Sequence, residues 1–153
     1  MTKALQDSIS EVFATVFFLV LENPDQPLEV LLAEPAPGWL EGSVEIRGQE
    51  LMVKFWIWSP AALARELAAN IFAENEEDVT PAQVGDAYRE MMNMVVGNLL
   101  TKVDKEGGWE MSLPQSHNLK AGALGEAARQ AADLAAYNFG EHHLLAGWRE
   151  SAL

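Results

Sequence analysis

The segment from Leu51 to Trp58 constrains the fold most, because it is apolar on both faces of an extended chain. Successive side chains of a β-strand point to opposite faces of the sheet. A strand that is apolar on both faces is normally covered on both sides. We therefore expect this segment to lie inside the molecule, under helices or under a partner subunit. One face carries Leu51, Val53, Phe55 and Ile57, and the other carries Met52, Trp56 and Trp58.

Two hairpins are predicted around such strands. The run Trp39 to Ile46 is joined to the strand at Leu51 to Trp58 through Gly48-Gln49, and both runs contain the aromatic and β-branched residues that favour strands. Near the end of the sequence, Ala135 to Phe139 and His142 to Arg149 predict a second hairpin with its turn at Gly140-Glu141. These four strands form the predicted antiparallel sheet.

Three further segments have weaker patterns. The run Leu28 to Leu32, closed by Pro35 and Pro37, predicts an edge strand or an extended lead-in to the sheet. The run Trp109 to Leu113 predicts a short strand. Between Leu119 and Asp133 the alanine-rich composition favours a helix slightly over other structures.

Three helices are predicted from apolar spacing and from end signals. The first covers Ala4 to Val20 and is ended by Asn23-Pro24. Ser59-Pro60 begins the second, with serine as the N-cap and proline at the first helical position, and it extends to about residue 73. Thr80-Pro81 begins the longest, which continues to about residue 104 before Gly107-Gly108. Together the patterns predict an α+β fold in which long helices pack on an antiparallel sheet.

Length and composition narrow the classes of function. A chain of 153 residues has the usual size of one domain, so we expect a single domain over 1–153. A net charge of −13 disfavours nucleic acid and anionic membranes as partners, and the absence of cysteine excludes thiolate chemistry and the usual structural zinc sites. The longest apolar run is about half the length that spans a bilayer. We therefore expect a cytoplasmic protein. We expect no metal site at His142-His143, because neighbouring side chains on a strand point to opposite faces.

One polar strip on the longest predicted helix is the candidate functional surface. At about 100° per residue, Asp86, Glu90, Asn93 and Gly97 share a narrow strip that we call the ridge. A solvated helix face gives the same geometry, but asparagine and glycine are poor helix formers and their presence favours a functional surface. Gly97 leaves a notch beside the carboxamide of Asn93. The apolar residues Val84, Tyr88, Met91, Val95 and Leu99 lie opposite, so the ridge is expected to face outward.

These residues resemble the signature of a known family. The matching residues are Asp86-x3-Glu90-x2-Asn93, then Met94-x2-Gly97, and Pro114 twenty-one positions after the asparagine. They resemble the signature of the CheC/CheX/FliY phosphatases of bacterial chemotaxis. The order of elements, with an N-terminal helix, a hairpin, a short helix begun by Ser-Pro and then the helix with the ridge, is also similar to CheX.

The resemblance implies a reaction and a partner. It implies hydrolysis of the aspartyl phosphate of a CheY-type response regulator, with Asn93 orienting the attacking water and Glu90 pairing with a lysine of the regulator. Asp86 and Gly97 then contribute to partner binding. The resemblance also implies that Mg²⁺ is carried by the regulator, so that this chain has no cofactor of its own, and that the protein is a homodimer.

A non-catalytic interaction module is the alternative. Such a module binds a signalling or flagellar partner through the same helix without turnover, or dimerises through Trp56 and Trp58. Asn93 favours catalysis, whereas Met92 and the net charge of −13 leave room for binding without turnover. Sequences similar to CheX tend to carry a small residue where Met92 stands, immediately before the asparagine. The regulator and its pathway are not determined by the sequence.

The first predicted helix repeats the acidic spacing. Asp7-x3-Glu11-x2-Ala14 has the pattern of the ridge with alanine in place of asparagine. It is either a relic of a duplicated unit, which CheC-like proteins resemble, or a chance match in an acid-rich chain. We expect one active ridge per subunit.

Overall fold

The computed structural model describes residues 1–33 and 38–153. Pro35 and Pro37, which were expected to close the segment that starts at Leu28, lie outside the described residues. The helices are α1 (Thr2–Val16), α2 (Leu28–Ala33), α3 (Ala61–Phe72), α4 (Pro81–Val103) and α5 (Leu124–Ala128), with a 3-10 turn at Glu76–Asp78. The strands are β1 (Trp39–Arg47), β2 (Leu51–Pro60), β3 (Glu110–Met111), β4 (Gln115–Asn118), β5 (Asp133–Phe139) and β6 (His142–Ala152).

The six strands form one antiparallel sheet in the order β3-β1-β2-β6-β5, with β4 also paired to β1. Both predicted hairpins are confirmed: β1 pairs with β2 in a register that places Val44 opposite Phe55, and β5 pairs with β6. The predicted α+β class is therefore confirmed. The strand β2 lies in the middle of the sheet, between β1 and β6.

Helices cover both faces of the sheet. On one face α1, α3 and α4 bury the main core, and on the other face α2 and α5 cover a smaller cluster that contains Trp39, Trp56 and Trp58. This confirms that β2 is covered on both sides. Trp56 and Trp58 stack with ring centroids 6.1 Å apart and are buried, so dimerisation through them is wrong. They are not accessible to another subunit.

The helix α1 ends four residues earlier than predicted. It ends at Val16, and Phe18 adopts a left-handed backbone with φ of 57°. The N–H of Leu19 then donates to the carbonyl of Phe13 at 2.9 Å. The chain must leave the helix here, because Glu22 pairs with Asn138 at the edge of β5. The turn at Phe18, and not Asn23-Pro24, ends the helix.

The segment from Leu28 is a helix and not a strand. The carbonyl of Pro27 accepts from the N–H groups of Val30 and Leu31, which begins α2. Leu31 is fully buried against the tryptophan face of the sheet. Spacing of three between Leu28 and Leu31 suits one face of a helix, and the short run of leucines concealed this period. The prediction of an edge strand here was therefore wrong.

The start of α3 also differs from the prediction. The strand β2 continues through Pro60, which is the N-cap of α3, and no side chain caps this helix. Ser59 is not the cap, because its hydroxyl is buried and hydrogen-bonded to Tyr88.

The region after α4 is less regular than predicted. The helix ends at Val103, and the carboxylate of Asp104 accepts from the N–H groups of Gly107 and Gly108 at 2.8 and 3.0 Å. The predicted strand from Trp109 shrinks to β3, and a polar strand, β4, was not predicted. The helix favoured between Leu119 and Asp133 covers only α5.

The helices in the described ranges, 1–33 and 38–153, include none that is long and apolar enough to cross a membrane.

Candidate functional site

The helix that carries the ridge has a well-defined start. The hydroxyl of Thr80 accepts from the N–H of Gln83 at 3.2 Å, and the side chain of Gln83 accepts from the N–H of Thr80 at 2.9 Å. This reciprocal capping box satisfies two amide groups that have no partner inside the helix. Pro81 occupies the first turn, where a missing N–H costs nothing. The sequence signal for the start of α4 is confirmed.

The inner face of α4 fixes its height above the sheet. Met92 is fully buried, and a Cβ added at Gly42 of β1 would lie 2.8 Å from its Cγ. The side chain of Tyr88 would lie equally close to that added Cβ. Gly42 therefore provides the room that these two large side chains need. Because Met92 faces the core, its size does not alter the surface that a partner would meet.

A buried hydrogen bond anchors the same face of the helix. The hydroxyl of Tyr88 donates to the carbonyl of Ile57 at 3.2 Å and lies 2.9 Å from the hydroxyl of Ser59. Burial raises the pKa of Tyr88 well above its ordinary value, so the group remains a neutral donor. This contact ties α4 to the end of β2.

The structure places the four ridge residues on the outer side of α4. Asp86 and Glu90 are exposed, and Asn93 and Gly97 are half-buried. No heavy atom of the described chain lies within 4 Å of a Cβ built at Gly97, other than its own helix backbone and chain neighbours. The notch is therefore open to another molecule.

The polar groups of the ridge differ in their partners. The carboxylate of Asp86 accepts from the guanidinium of Arg89, which also donates to the hydroxyl of Ser116 at 2.9 Å. Within residues 1–33 and 38–153, Glu90 forms no ion pair and the side chain of Asn93 forms no hydrogen bond. Two groups of the ridge are thus free to bind a visiting molecule.

A shallow cavity of about 340 Å³ surrounds these groups. Its walls are Asp86, Arg89, Glu90 and Asn93 of α4, and Leu113 and Pro114 of the link between β3 and β4. The link leaves the edge of β1 for a few residues, so that Pro114 is buried while the side chain of Leu113 is 87% exposed. An exposed leucine beside the carboxamide gives the cavity an apolar rim. The structure therefore places Pro114, which belongs to the matched signature, beside Asn93.

Arg89 and Leu113 were not singled out from the sequence. Arg89 lies one helical turn before Asn93, and Leu113 immediately precedes Pro114. The helical period indicates that Arg89 lies near Asn93. The position of Leu113 depends instead on how the link crosses the sheet edge, which no local pattern specifies.

The arrangement suits the handling of a water molecule and a cation. A neutral carboxamide both donates and accepts hydrogen bonds, and an unpaired carboxylate one turn earlier attracts a positive group. The described residues form no cluster of three or more acidic or histidine side chains that is able to hold a metal ion.

The acidic repeat on α1 is differently arranged. Lys3 pairs with Asp7 at 2.6 Å, and Lys102 of α4 pairs with Glu11 at 2.7 Å. The hydrogen bond and charge of Lys102 lower the pKa of Glu11. Ala14, at the position that corresponds to Asn93, is exposed. Both carboxylates of α1 are therefore occupied within the molecule.

Comparison with known proteins agrees with this architecture. The family model described as chemotaxis phosphatase CheX matches residues 40–134. The chain is similar to the crystal structure of the chemotaxis protein CheX from Vibrio vulnificus, with 16% identity, 97% of each chain covered and a TM-score of 0.72. It is also similar to a CheC-like superfamily protein from Shewanella sp. PV-4, with 18% identity, 97% of this chain and 96% of the other covered, and a TM-score of 0.69.

A third similar structure is that of a complex. It is the CheX-CheY-BeF3-Mg²⁺ complex from Borrelia burgdorferi, with 14% identity, 97% of each chain covered and a TM-score of 0.68. At such identities these three structures show the fold. No curated protein sequence matches the chain.

Proposed function

Because this chain belongs to the CheX family of chemotaxis phosphatases, we propose that it removes the phosphoryl group from an aspartate of a CheY-type response regulator. The complex from Borrelia burgdorferi, in which CheX is found with CheY, supports a regulator of this type as the partner. The observation that carries the proposal is the position of Asn93, whose carboxamide lies in a surface cavity and has no hydrogen-bond partner among residues 1–33 and 38–153.

The reaction needs little covalent chemistry from this chain. Water attacks phosphorus, the bond between phosphorus and the aspartyl oxygen breaks, and the products are a carboxylate, inorganic phosphate and a proton. An acyl phosphate is already reactive, so catalysis consists mainly of holding the water in line. In this proposal Asn93 accepts a hydrogen bond from that water through its oxygen. A carboxamide does so without adding a negative charge near the phosphoryl oxygens.

Glu90 acts in the proposal as a docking group. A carboxylate used as a general base would approach the anionic phosphoryl group and be repelled by it. An ion pair with a lysine of the regulator avoids this repulsion and fixes the register in which Asn93 enters. The absence of an ion pair on Glu90 within the described residues supports this role.

The remaining ridge residues assist binding. Gly97 lets the partner approach the helix backbone, and Asp86 orients Arg89 at the rim of the cavity. The Mg²⁺ ion belongs to the regulator in this proposal, and the chain functions as a homodimer. The molecular mass in solution tests the dimer, with the mass of two chains expected and the mass of one contradicting it.

A turnover measurement tests the proposed function. Phosphorylated regulator with Mg²⁺ is mixed with a small fraction of one equivalent of the protein, and loss of the phosphoryl group is followed. We expect many regulators to be dephosphorylated per protein molecule, and none above the regulator's own rate with Asn93→Ala. Binding without any acceleration by the unmodified protein would instead support the non-catalytic interaction module.

A further inference from the structure

A second, larger cavity adjoins the ridge. It has a volume of about 480 Å³ and lies between α3, the first turns of α4 and the edge strand β4. Asp86 and Arg89 line both this cavity and the shallow one that contains Asn93. A protein that covers Asn93 therefore also lies next to this opening.

The charge of this cavity is opposite to that of the chain. The whole sequence has 23 acidic residues and 10 lysines and arginines, whereas the cavity is lined by Arg65, Arg89 and His117 with Asp86 as the one carboxylate among its described lining residues. His117 itself lies 3.2 Å from the buried carboxylate of Glu41. Because Asp86 already pairs with Arg89, Arg65 carries the main charge of this cavity that is available to a partner.

The two arginines have different surroundings. The guanidinium of Arg89 is held by Asp86 and by the hydroxyl of Ser116. Ser116 in turn donates to the carbonyl of Gly85 at 3.2 Å, so this arginine is fixed in place. Arg65 is exposed and forms no ion pair with any carboxylate of residues 1–33 and 38–153. Arg65 is therefore available to a partner.

We propose that this cavity, with Arg65 as its principal contact, docks an acidic side chain of the response regulator while the phosphoryl group lies at Asn93. The inference rests on the proposed function and names a second contact point for the same partner. An arginine fork binds a carboxylate through two parallel hydrogen bonds. An apolar group at this position would leave the two arginines desolvated without a partner, and a basic group would be repelled by them.

The negative net charge of the chain makes a local cationic contact useful for binding an acidic partner. A net charge of −13 repels any partner that presents an acidic surface, and phosphorylation makes that surface more negative. A local cationic cavity next to the ridge offsets this repulsion at the required position. It also orients the regulator, because a carboxylate is attracted on one side of Asp86 and a lysine, at Glu90, on the other.

Charge reversal at Arg65 tests the inference. The affinity of regulator activated with beryllofluoride and Mg²⁺ is measured for the unmodified protein, Arg65→Glu and Arg129→Glu. Arg129 is an exposed arginine next to α5, on the opposite face of the sheet, so its reversal changes the net charge by the same amount elsewhere. Circular dichroism checks that each variant is folded. Arg65→Ala removes the positive charge without introducing a negative one.

We expect Arg65→Glu to raise Kd and KM about tenfold or more, with kcat at saturation changed less than about twofold. Arg129→Glu should raise Kd and KM by less than about threefold. Equal effects of the two reversals, or no effect of Arg65→Glu, would overturn the inference and leave the proposed function intact. If the unmodified protein does not bind the regulator at all, the proposed function and the inference both fail.

Discussion

The helices α1 and α4 pack against each other and carry the same acidic spacing, yet their polar groups are arranged differently. On α1, Lys3 holds Asp7 and Lys102 holds Glu11. On α4, Arg89 holds the first carboxylate, while Glu90 and the carboxamide three residues later have no partner within the described chain. Spacing alone therefore does not make a site. A site also requires polar groups that the fold leaves unpaired.

The helix α4 is also the more constrained of the two. Its inner face meets Gly42, whose missing side chain makes room for Met92 and Tyr88. Its outer face carries Gly97, where the surrounding space is open. One glycine thus sets the position of the helix, and the other leaves its surface accessible.

The largest expected effect concerns the carboxamide at the two equivalent positions. In the Asn93→Ala background, Ala14→Asn places a carboxamide on α1 beside carboxylates that are already paired. We expect phosphatase activity to remain about 100-fold or more below the parental level. The steady-state rate with phosphorylated regulator checks this. Recovery of activity in the double variant would show that α1 provides an equivalent site.

The next largest effect is expected from a substitution in β1 that faces the buried side of α4. Gly42→Ala forces its new methyl group against Met92 and Tyr88, and we expect a loss of about 1–3 kcal/mol in the free energy of unfolding. Denaturant titration measures this loss. The double change Gly42→Ala with Met92→Ala serves as the control and should be less destabilising than the sum of the two single changes. Additive losses would show that the methyl group and Met92 do not compete for the same space.

The two glutamates at equivalent positions of α1 and α4 are expected to differ in their effect on activity. Glu90→Ala should raise KM and lower kcat together, with a combined loss of about tenfold in kcat/KM, because docking and register are both impaired. The matched variant Glu11→Ala, on α1, should change kcat/KM less than about twofold. The same loss in both variants would indicate a general effect of charge, and unchanged constants for Glu90→Ala would remove its docking role.

A smaller effect is expected at the open glycine. Gly97→Ala should stabilise the protein by about 1 kcal/mol, because alanine is the better helix former and meets no neighbour there. The same change should raise KM a few-fold, since the added methyl group fills the notch. Thermal unfolding and steady-state kinetics on one preparation separate the two effects. Stabilisation without any change in KM would show that the partner does not approach Gly97.

The smallest effect is the pH dependence from α1. Lys102 lowers the pKa of Glu11 in the folded protein below its ordinary value of 4.5. The ion pair therefore stabilises the fold above that value, and its contribution is lost as the pH falls through the lowered pKa. Glu11→Gln should flatten the acid side of the stability profile slightly, as measured by denaturant titration. An unchanged profile would mean that the pair contributes nothing.

Strong local patterns predicted most of the fold. Both hairpins and the start of α4 followed from alternation and from the Thr80-Pro81 signal. The misplaced elements depend on distant contacts: α1 stops where Glu22 must reach β5, and α2 forms because Leu31 is buried on the tryptophan face. The short polar strand β4 pairs with β1 and has little pattern of its own.

The site was only partly predictable for the same reason. A single helical period placed Asp86, Glu90, Asn93 and Gly97 on one outer strip, and their roles stay predictions. The cationic cavity depends on α3, α4 and β4 meeting at one point, so that Arg65 and Arg89 line it together. No spacing along the sequence indicates that meeting.

The role of Asn93 in the reaction is tested by the dephosphorylation rate constant at a saturating concentration of the protein, measured with Asn93→Ala beside the unmodified chain. Saturation removes any difference in affinity, so the rate reports the reaction within the complex. We expect the variant still to bind the phosphorylated regulator and its rate to fall to that of the regulator alone. A saturated rate equal to that of the unmodified chain would contradict the water-orienting role of Asn93.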